Sequence, residues 1–228
     1  SLLNSTSDAK QIGSIQDALK SAVAGAGSKE AQTALVLAQL SSSSKKGALL
    51  PILASIGGKK ALSSVVDAFK GNDASLQQDA VAALSNWSDG TAAEELYKIG
   101  DVTTNATYRD QALNGYIKAI NTSSDNAVQK VLRLRKAFTL AQTTEQKQKV
   151  LKELVKHKTF NSLVFAGQFL DEPALRSVAA QTVMEIAKTD KNIYGPEVRA
   201  MLEKCLNSLE GSESNYQREE IRKHISEL

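Results

Sequence analysis

The sequence is poor in the residues on which most catalytic and metal sites depend. Its 228 residues include one cysteine and two histidines, and aromatic residues make up 5% of the chain. A single thiol forms no internal disulfide, and neither histidine lies near cysteines or carboxylates at the spacing of a zinc site. The sequence therefore predicts a protein that is not an enzyme and that uses no metal and no cofactor.

The few candidate catalytic side chains lie where structural roles are favoured. Cys205 lies beside Leu202 and Leu206 on an apolar helical face, which predicts a buried and unreactive thiol. His157 lies at a helix end, and His224 lies in a charged terminal helix. We expect both histidines to be structural or solvent-exposed.

Long hydrophobic runs and helix breakers are also scarce. No apolar run approaches the ~18 residues needed to cross a bilayer, so we expect no membrane span. With only three prolines, and with alanine, leucine, glutamine, lysine and glutamate abundant, the composition favours helix almost everywhere. The sequence predicts an all-α chain. Because the first residue is Ser1 and not methionine, we expect a processed or truncated product of a larger protein.

Apolar periodicity and turn residues predict the individual helices. The spacing of Ile12, Ile15, Leu19 and Val23 predicts a helix that stops before the two glycines at 25–28. A second helix follows around Ala34, Leu35 and Ala38, and a serine run at 41–44 is expected to interrupt it as a loop. Further helices are predicted near residues 45–56, 59–70, 74–87, 91–99, 106–121, 124–141, 144–157, 160–170, 173–188, 196–209 and 214–227.

Several helix boundaries have recognisable signals. Thr143 and Gln146 have the spacing of a capping box, and Gly195 before a proline suits a loop that enters a helix. Asp171 is expected to cap a helix that has Pro173 in its first turn. Pro51 is expected to bend the helix at 45–56 because it has no backbone N–H to donate.

The predicted helices repeat. One small apolar position recurs with steps of 31, 32, 38 and 29 residues, which is the period of a two-helix unit. This recurrence predicts an α-solenoid. The charged helix near the end of the chain is expected to be a capping unit. The equivalent residues are Leu49, Ala80, Ala112, Val150 and Ala179.

Six stretches carry a resemblance to a known family: residues 57–62, 86–90, 108–116, 136–141, 145–147 and 169–176. Through them the chain resembles the HEAT-like repeat family across most of its length. More narrowly, it resembles the helical-repeat region of bacterial multidomain proteins that carry a 3-keto-disaccharide hydrolase-type jelly-roll domain. The resemblance implies a right-handed α-α superhelix of about six antiparallel helix pairs, with residues 1–228 as one domain. It also implies an accessory scaffold beside an enzyme, in a periplasmic or cell-surface setting rather than the cytoplasm.

Charge is concentrated in one part of the chain. The net charge is +3, yet residues 124–158 contain nine basic and three acidic residues, a local +6 that leaves about −3 elsewhere. Lys149, Lys152 and Lys156 fall on one helical side, opposite Val150 and Leu151. The segment predicts either an anion- or partner-binding surface or an ordinary solvated helix face. The candidate binding residues are Lys130, Arg133, Lys136, Lys149, Lys152 and Lys156.

Three functional interpretations follow. The first is a non-catalytic scaffold whose partner is another protein or an adjacent domain of the same polypeptide. The second is a DNA-binding protein, because a HEAT-like fold of this length resembles the alkylpurine DNA glycosylase family. That family implies a tryptophan-rich pocket, which Trp87 and Asp89 alone do not reproduce. Trp87 shares the repeat position of Ile56, so a place in the core is favoured for Trp87 over a role in ligand stacking. No aromatics interleave the lysines, so we do not expect a nucleic-acid partner. The third interpretation is an accessory role in a protein that is associated with polysaccharide.

Overall fold

A computed structural model of the chain describes residues 2–189, 192–209 and 215–228. Across these ranges the secondary structure consists of α-helices and short 3-10 turns, without a β-strand. The all-α prediction is confirmed. The chain divides into two compact units, Ser1–Ser124 and Asp125–Leu228.

The first unit is built from helices whose starts are capped locally. Asp8, Ser28, Asp73 and Asn105 each accept a hydrogen bond from a first-turn backbone N–H, which would otherwise have no partner. Its α-helices are α1 (Leu2–Ser5), α2 (Ala9–Ala24), α3 (Lys29–Ser42), α4 (Leu50–Ile56), α5 (Lys59–Lys70), α6 (Ala74–Ser85), α7 (Ala93–Val102) and α8 (Ala106–Thr122). Short 3-10 turns span Lys46–Leu49 and Gly90–Ala92.

Helices α4, α6 and α8 form a row in this unit. Helix α6 packs against both α4 and α8, while α5 packs against α6 and α7 against α8. The repeat positions Leu49, Ala80 and Ala112 are all buried in this packing. Helices α6 and α8 approach closely because Gly115 has no side chain, and a Cβ there would lie 2.5 Å from the Cα of Ser85. The hydroxyl of Ser85 donates a hydrogen bond to the Gln111 carbonyl at 2.7 Å across the same contact.

The second unit continues the helical pattern. Helix α10 packs against α9 and α12, α11 packs against α9 and α12, and α13 packs against α12 and α14. The repeat positions Val150 and Ala179 are fully buried. The α-helices are α9 (Ala127–Leu140), α10 (Thr144–Glu153), α11 (Phe160–Gly167), α12 (Arg176–Ala187), α13 (Pro196–Ser208) and α14 (Asn215–Glu227), and a 3-10 turn spans Leu154–Lys156.

Two of the predicted boundary signals in this unit are confirmed. Thr143 and Gln146 form a reciprocal capping box at the start of α10. Gly195 has a φ of 114° immediately before Pro196 in the first turn of α13. Local sequence was sufficient here because each signal acts within one helical turn.

Two expectations about the segment between α11 and α12 are wrong. Helix α11 ends at Gly167 rather than at residue 170, and α12 begins at Arg176, without a side-chain cap. Asp171 does not cap a helix; its carboxylate oxygen lies 2.6 Å from the Lys204 ammonium nitrogen. The Arg176 Nε donates to the Leu170 carbonyl at 3.1 Å, which holds the intervening turns in place.

One expectation about the first unit is confirmed in part, and another is wrong. The serine run does end α3, but two residues later than expected: the helix continues through Ser41, whose hydroxyl donates to the Ala38 carbonyl at 2.8 Å, and ends at Ser42, before the non-helical Ser43 and Ser44. Pro51 does not bend a helix. It lies in the first turn of α4, after a 3-10 turn, where its missing N–H would have had no helical partner in any case. The sequence also did not predict α1.

Candidate functional site

The six cations predicted to bind a partner lie on consecutive elements of the second unit, and we call them the cationic surface. Lys130, Arg133 and Lys136 lie on α9, Lys149 and Lys152 on α10, and Lys156 in the 3-10 turn that follows. All six side chains are exposed or half-buried.

The apolar pattern of these helices turns the cations outward. On α9, Val131, Leu134, Ala137 and Leu140 are buried at intervals of three residues, so they occupy one side of the helix. A capping box between Asn126 and Gln129 sets where α9 begins and therefore the phase of that face. On α10 the buried pair Val150 and Leu151 leaves Lys149 and Lys152 exposed.

One part of the cationic surface is a shallow groove of about 290 Å³. Arg133 and Lys136 line it together with Asp125, Gln129 and Leu132. The Arg133 Nε lies 2.8 Å from the Asp125 carboxylate, and the Leu132 side chain is 51% exposed. The groove therefore offers cations, one carboxylate and an apolar contact side by side.

A second part surrounds His157. This imidazole is buried, and burial lowers its pKa, as do the nearby charges of Lys130 and Lys156, while Glu153 acts in the opposite direction. The Lys156 ammonium also lies 2.8 Å from the Glu153 carboxylate. The structural interpretation of His157 is confirmed. The fold brings Lys130 and Lys156 into one neighbourhood, although they come from different elements.

Lys149 and Lys152 do not belong to either part. They are exposed on α10 but do not line the groove, and neither contributes to the pKa shift of His157. The structure thus distributes the six predicted residues over three neighbouring places rather than one pocket.

Sequence reasoning missed an aromatic cluster within the same region. Phe138 on α9 lies 4.5 Å from Phe169 and 5.5 Å from Phe165, measured between ring centroids. The Arg135 guanidinium carbon lies 5.3 Å from the centroid of Phe165, and the Lys147 ammonium lies 5.6 Å from that of Phe138. Both distances are those of cation–π contacts.

The expectation that the cations have no aromatics among them is therefore wrong. Phe165 and Phe169 are four residues apart, a helical-face spacing that is visible in the sequence. Their meeting with Phe138 depends on α11 packing against α9, and no local signal predicts that contact. Phe165 is buried, whereas Phe138 and Phe169 are half-buried.

Among the remaining candidates, Trp87, Asp89 and Cys205 have structural roles. Trp87 is 3% exposed and its indole N–H donates to the Thr91 hydroxyl at 3.0 Å, which confirms the core interpretation. Asp89 accepts a hydrogen bond from the Thr91 backbone N–H at 2.9 Å and caps the 3-10 turn. Cys205 is fully buried, and burial raises the pKa of its thiol to about 12. His224 is half-buried on α14.

The described residues contain neither a metal-binding cluster nor a helix that could span a membrane. Within residues 2–189, 192–209 and 215–228, no three His, Cys, Asp or Glu side chains are grouped so that they could hold a metal ion. In the same ranges, no helix has both the length and the apolar character to span a membrane.

Comparison with known proteins does not place the chain in a family. No protein-family model matches it, and no curated protein matches it. A solved structure from "Computational Design of Self-Assembling Cyclic Protein Homooligomers" aligns over 96% of this chain and 72% of that chain, with 13% identity and a TM-score of 0.16. Similarity at that level supports no inference about fold or function.

Proposed function

We propose that the chain is a non-catalytic helical-repeat scaffold that binds an acidic segment of a protein partner, or of an adjacent domain, through its cationic surface. In this proposal the helix pairs of residues 1–228 continue as one right-handed α-α superhelix of the HEAT-like kind. The accessory role beside a jelly-roll domain of a bacterial carbohydrate-active protein belongs to the same proposal.

The observation that carries the proposal is the outward display of six cations by α9, α10 and the following 3-10 turn. The apolar positions of these elements are used in packing, so the cations are not needed to hold the helices together. Clustered charge of one sign attracts and orients a partner of the opposite sign.

The chemistry of the surface favours a polypeptide over a nucleic acid. Two carboxylates, Asp125 and Glu153, lie among the cations and would repel a uniformly anionic backbone. Leu132 adds an exposed apolar contact in the groove. A protein segment that mixes acidic and apolar residues complements the cations and Leu132, and it can place uncharged residues opposite Asp125 and Glu153.

The binding test uses a triple variant and a matched control. Lys149→Gln, Lys152→Gln and Lys156→Gln together remove three charges from the cationic surface. Lys59→Gln, Lys60→Gln and Lys70→Gln remove three exposed charges from α5 of the first unit. The probe is a fluorescent peptide of mixed glutamate, alanine and leucine, titrated at several salt concentrations.

We expect the first triple variant to bind the peptide more weakly and with a smaller salt dependence, and the control to bind like the parent protein. Equal binding by the two variants would remove the cationic surface from the proposal. Tighter binding of a duplex oligonucleotide than of the peptide would favour the DNA-binding interpretation, and release of methylated purines would revive the glycosylase interpretation.

The architecture and the setting have their own tests. A compact 228-residue domain has a radius of gyration of roughly 17 Å, and a superhelix exceeds it in small-angle scattering. A value near 17 Å would contradict the superhelix. Sequencing the gene on both sides of the codons for Ser1 and Leu228 tests whether a jelly-roll domain and an export signal accompany the chain.

A further inference from the structure

The first unit contains an apolar cavity of about 650 Å³ that the cationic surface does not involve. It lies between α1, α2, α3 and the 3-10 turn at Lys46–Leu49. Ile15, Leu19 and Leu49 line it together with the side chains of Asn4 and Gln39.

Helix α2 does not bury its apolar stripe within the described part of the chain. Ile15 and Leu19 are only half-buried, Ala18 and Ala22 are exposed, and Val23 is the one buried side chain that the helix contributes. The side chains of Ile15, Ala18, Leu19 and Ala22 line the cavity, whereas Val23 does not. Burial of apolar surface contributes a favourable free energy of roughly 25 cal/mol per Å². Contacts with this uncovered stripe would therefore stabilise the binding of an occupant of matching shape.

The lining defines the chemistry of that occupant. Seven of the lining side chains are aliphatic, and the polar ones, Asn4, Gln39, Ser42 and Ser43, are uncharged; no charged residue of the described ranges lines the cavity. The Ser43 hydroxyl donates to the Asn4 side-chain oxygen at 2.9 Å, which ties α1 to the segment after α3 and closes one side. An aliphatic body with an uncharged polar end complements this arrangement.

The size of the cavity favours a small molecule over a helix of a partner protein. Small-molecule sites span roughly 300–1,000 Å³, which includes this volume. A single helical turn, as a cylinder about 10 Å wide and 5.4 Å high, occupies roughly 420 Å³, so the cavity holds only about one and a half turns. A smaller cavity of about 240 Å³ shares Leu19, Gln39 and Leu49 with the larger one and extends the apolar path towards Val36 and Ile52.

We infer that the first unit binds an uncharged, single-chain aliphatic molecule such as a long-chain alcohol. Its chain contacts Ile15, Leu19 and Leu49, and its polar end lies at Asn4 and Gln39. The site is separate from the proposed function, because it lies in the other unit and involves no cation.

The test uses the full chain and an uncharged fluorescent probe, N-phenyl-1-naphthylamine, displaced by straight-chain alcohols of increasing length. We expect saturable one-to-one binding of the probe. The displacing affinity should rise about fourfold for each added methylene, until the chain outgrows the cavity. Absence of saturable binding in the parent protein would overturn the inference.

Substitutions on α2 locate the site. Ala18→Phe and Ala22→Phe each place a ring in the cavity, whereas Ala24→Phe places the same ring at an exposed position of α2 outside the lining. We expect the first two to weaken alcohol binding at least tenfold and the third to leave it unchanged. Equal affinity in all three variants would overturn the inference.

A second measurement does not depend on how the variants fold. In the parent protein with bound dodecanol, intermolecular nuclear Overhauser effects are expected to the methyl groups of Ile15, Leu19 and Leu49. Effects confined to other methyl groups would place the ligand elsewhere and contradict the assignment. If the parent protein binds no dodecanol but forms a dimer in sedimentation that Ala18→Phe dissociates, a second copy covers this face and the inference is overturned.

Discussion

The Arg133 guanidinium lies 2.8 Å from the Asp125 carboxylate, so this predicted binding residue, like Lys156 beside Glu153, already has an anionic partner within its own unit. The Arg133 and Asp125 side chains remain partly exposed, at 39% and 22%. Exposed ion pairs of this kind contribute only about 0–1 kcal/mol to stability. The pair therefore affects the electrostatics of the groove more than it stabilises the fold.

Replacing Asp125 tests that electrostatic role. Asp125→Asn removes the carboxylate and leaves Arg133 to interact with an acidic partner, so we expect tighter binding of the acidic peptide and a steeper salt dependence. Asp171→Asn is the matched control, because it removes a carboxylate that pairs with Lys204 outside the groove. Fluorescence anisotropy of the labelled peptide measures the affinity and its salt dependence for each variant. Equal effects of the two substitutions on peptide binding would show that binding depends on the net charge of the protein and not on the groove.

Replacement of glycine by alanine is expected to have opposite effects on stability at Gly115 and at Gly13. Gly115→Ala places a Cβ 2.5 Å from the Cα of Ser85, so α6 and α8 must separate, and we expect a loss of about 1–3 kcal/mol in the free energy of unfolding. Gly13→Ala in α2 meets no atom within 4 Å and should gain about 0.5–1 kcal/mol through helix propensity. Denaturant titrations followed by Trp87 fluorescence report on this unit. Destabilisation by both changes would contradict the packing argument.

The buried imidazole of His157 predicts a pH-dependent stability. Because its pKa in the folded state is lower than the ordinary 6.5, the unfolded chain binds more protons in the window below about pH 7. Stability should therefore be fully present above that window and fall as the pH drops through the folded pKa. Unfolding measured from pH 8 to 5 should show this dependence in the parent protein and a flatter one in His157→Gln.

The charge of Lys130 is expected to contribute to that shift. Lys130→Gln removes a cation that lowers the pKa of His157, so the imidazole should titrate at higher pH in an NMR experiment. Lys152→Gln removes an equal charge from α10, at a residue that does not contribute to the shift. An unchanged titration in Lys130→Gln would rule out the electrostatic contribution.

The thiol of Cys205 is expected to resist modification. It is fully buried and its pKa is raised to about 12, so at pH 8 almost none is thiolate. A maleimide reagent should label it slowly in the folded protein and completely in denaturant, with Cys205→Ala as the unlabelled control. Rapid labelling under native conditions would contradict the burial. Because the folded pKa is the higher one, this group also predicts a loss of stability as the pH rises from about 9 towards 12.

Most helices were predictable because their signals are local. The range predicted for the helix at 59–70 is the range of α5, and the Thr143–Gln146 capping box begins α10. Burial was predictable where the sequence repeats: the five recurring positions from Leu49 to Ala179 are all buried.

The arrangement of the candidate site was less predictable. The sequence identified the six candidate cations but not how they are grouped. They divide among a groove, the surroundings of His157 and the exposed side of α10, and this division depends on how α9 and α10 pack. Asp171 shows the same limit, since it does not cap a helix and instead pairs with Lys204, which is distant in sequence and close in space.

The sequence by itself determined that the chain is helical, where most helices begin and end, and which faces are apolar, because capping and the 3.6-residue period act within a few residues. Only the tertiary structure decided that Phe165 lies beneath Arg135, that Asp125 neutralises Arg133, and that α2 leaves a cavity beside Leu49. Those features arise where one helix meets another, and the choice of meeting faces depends on packing the whole unit at once.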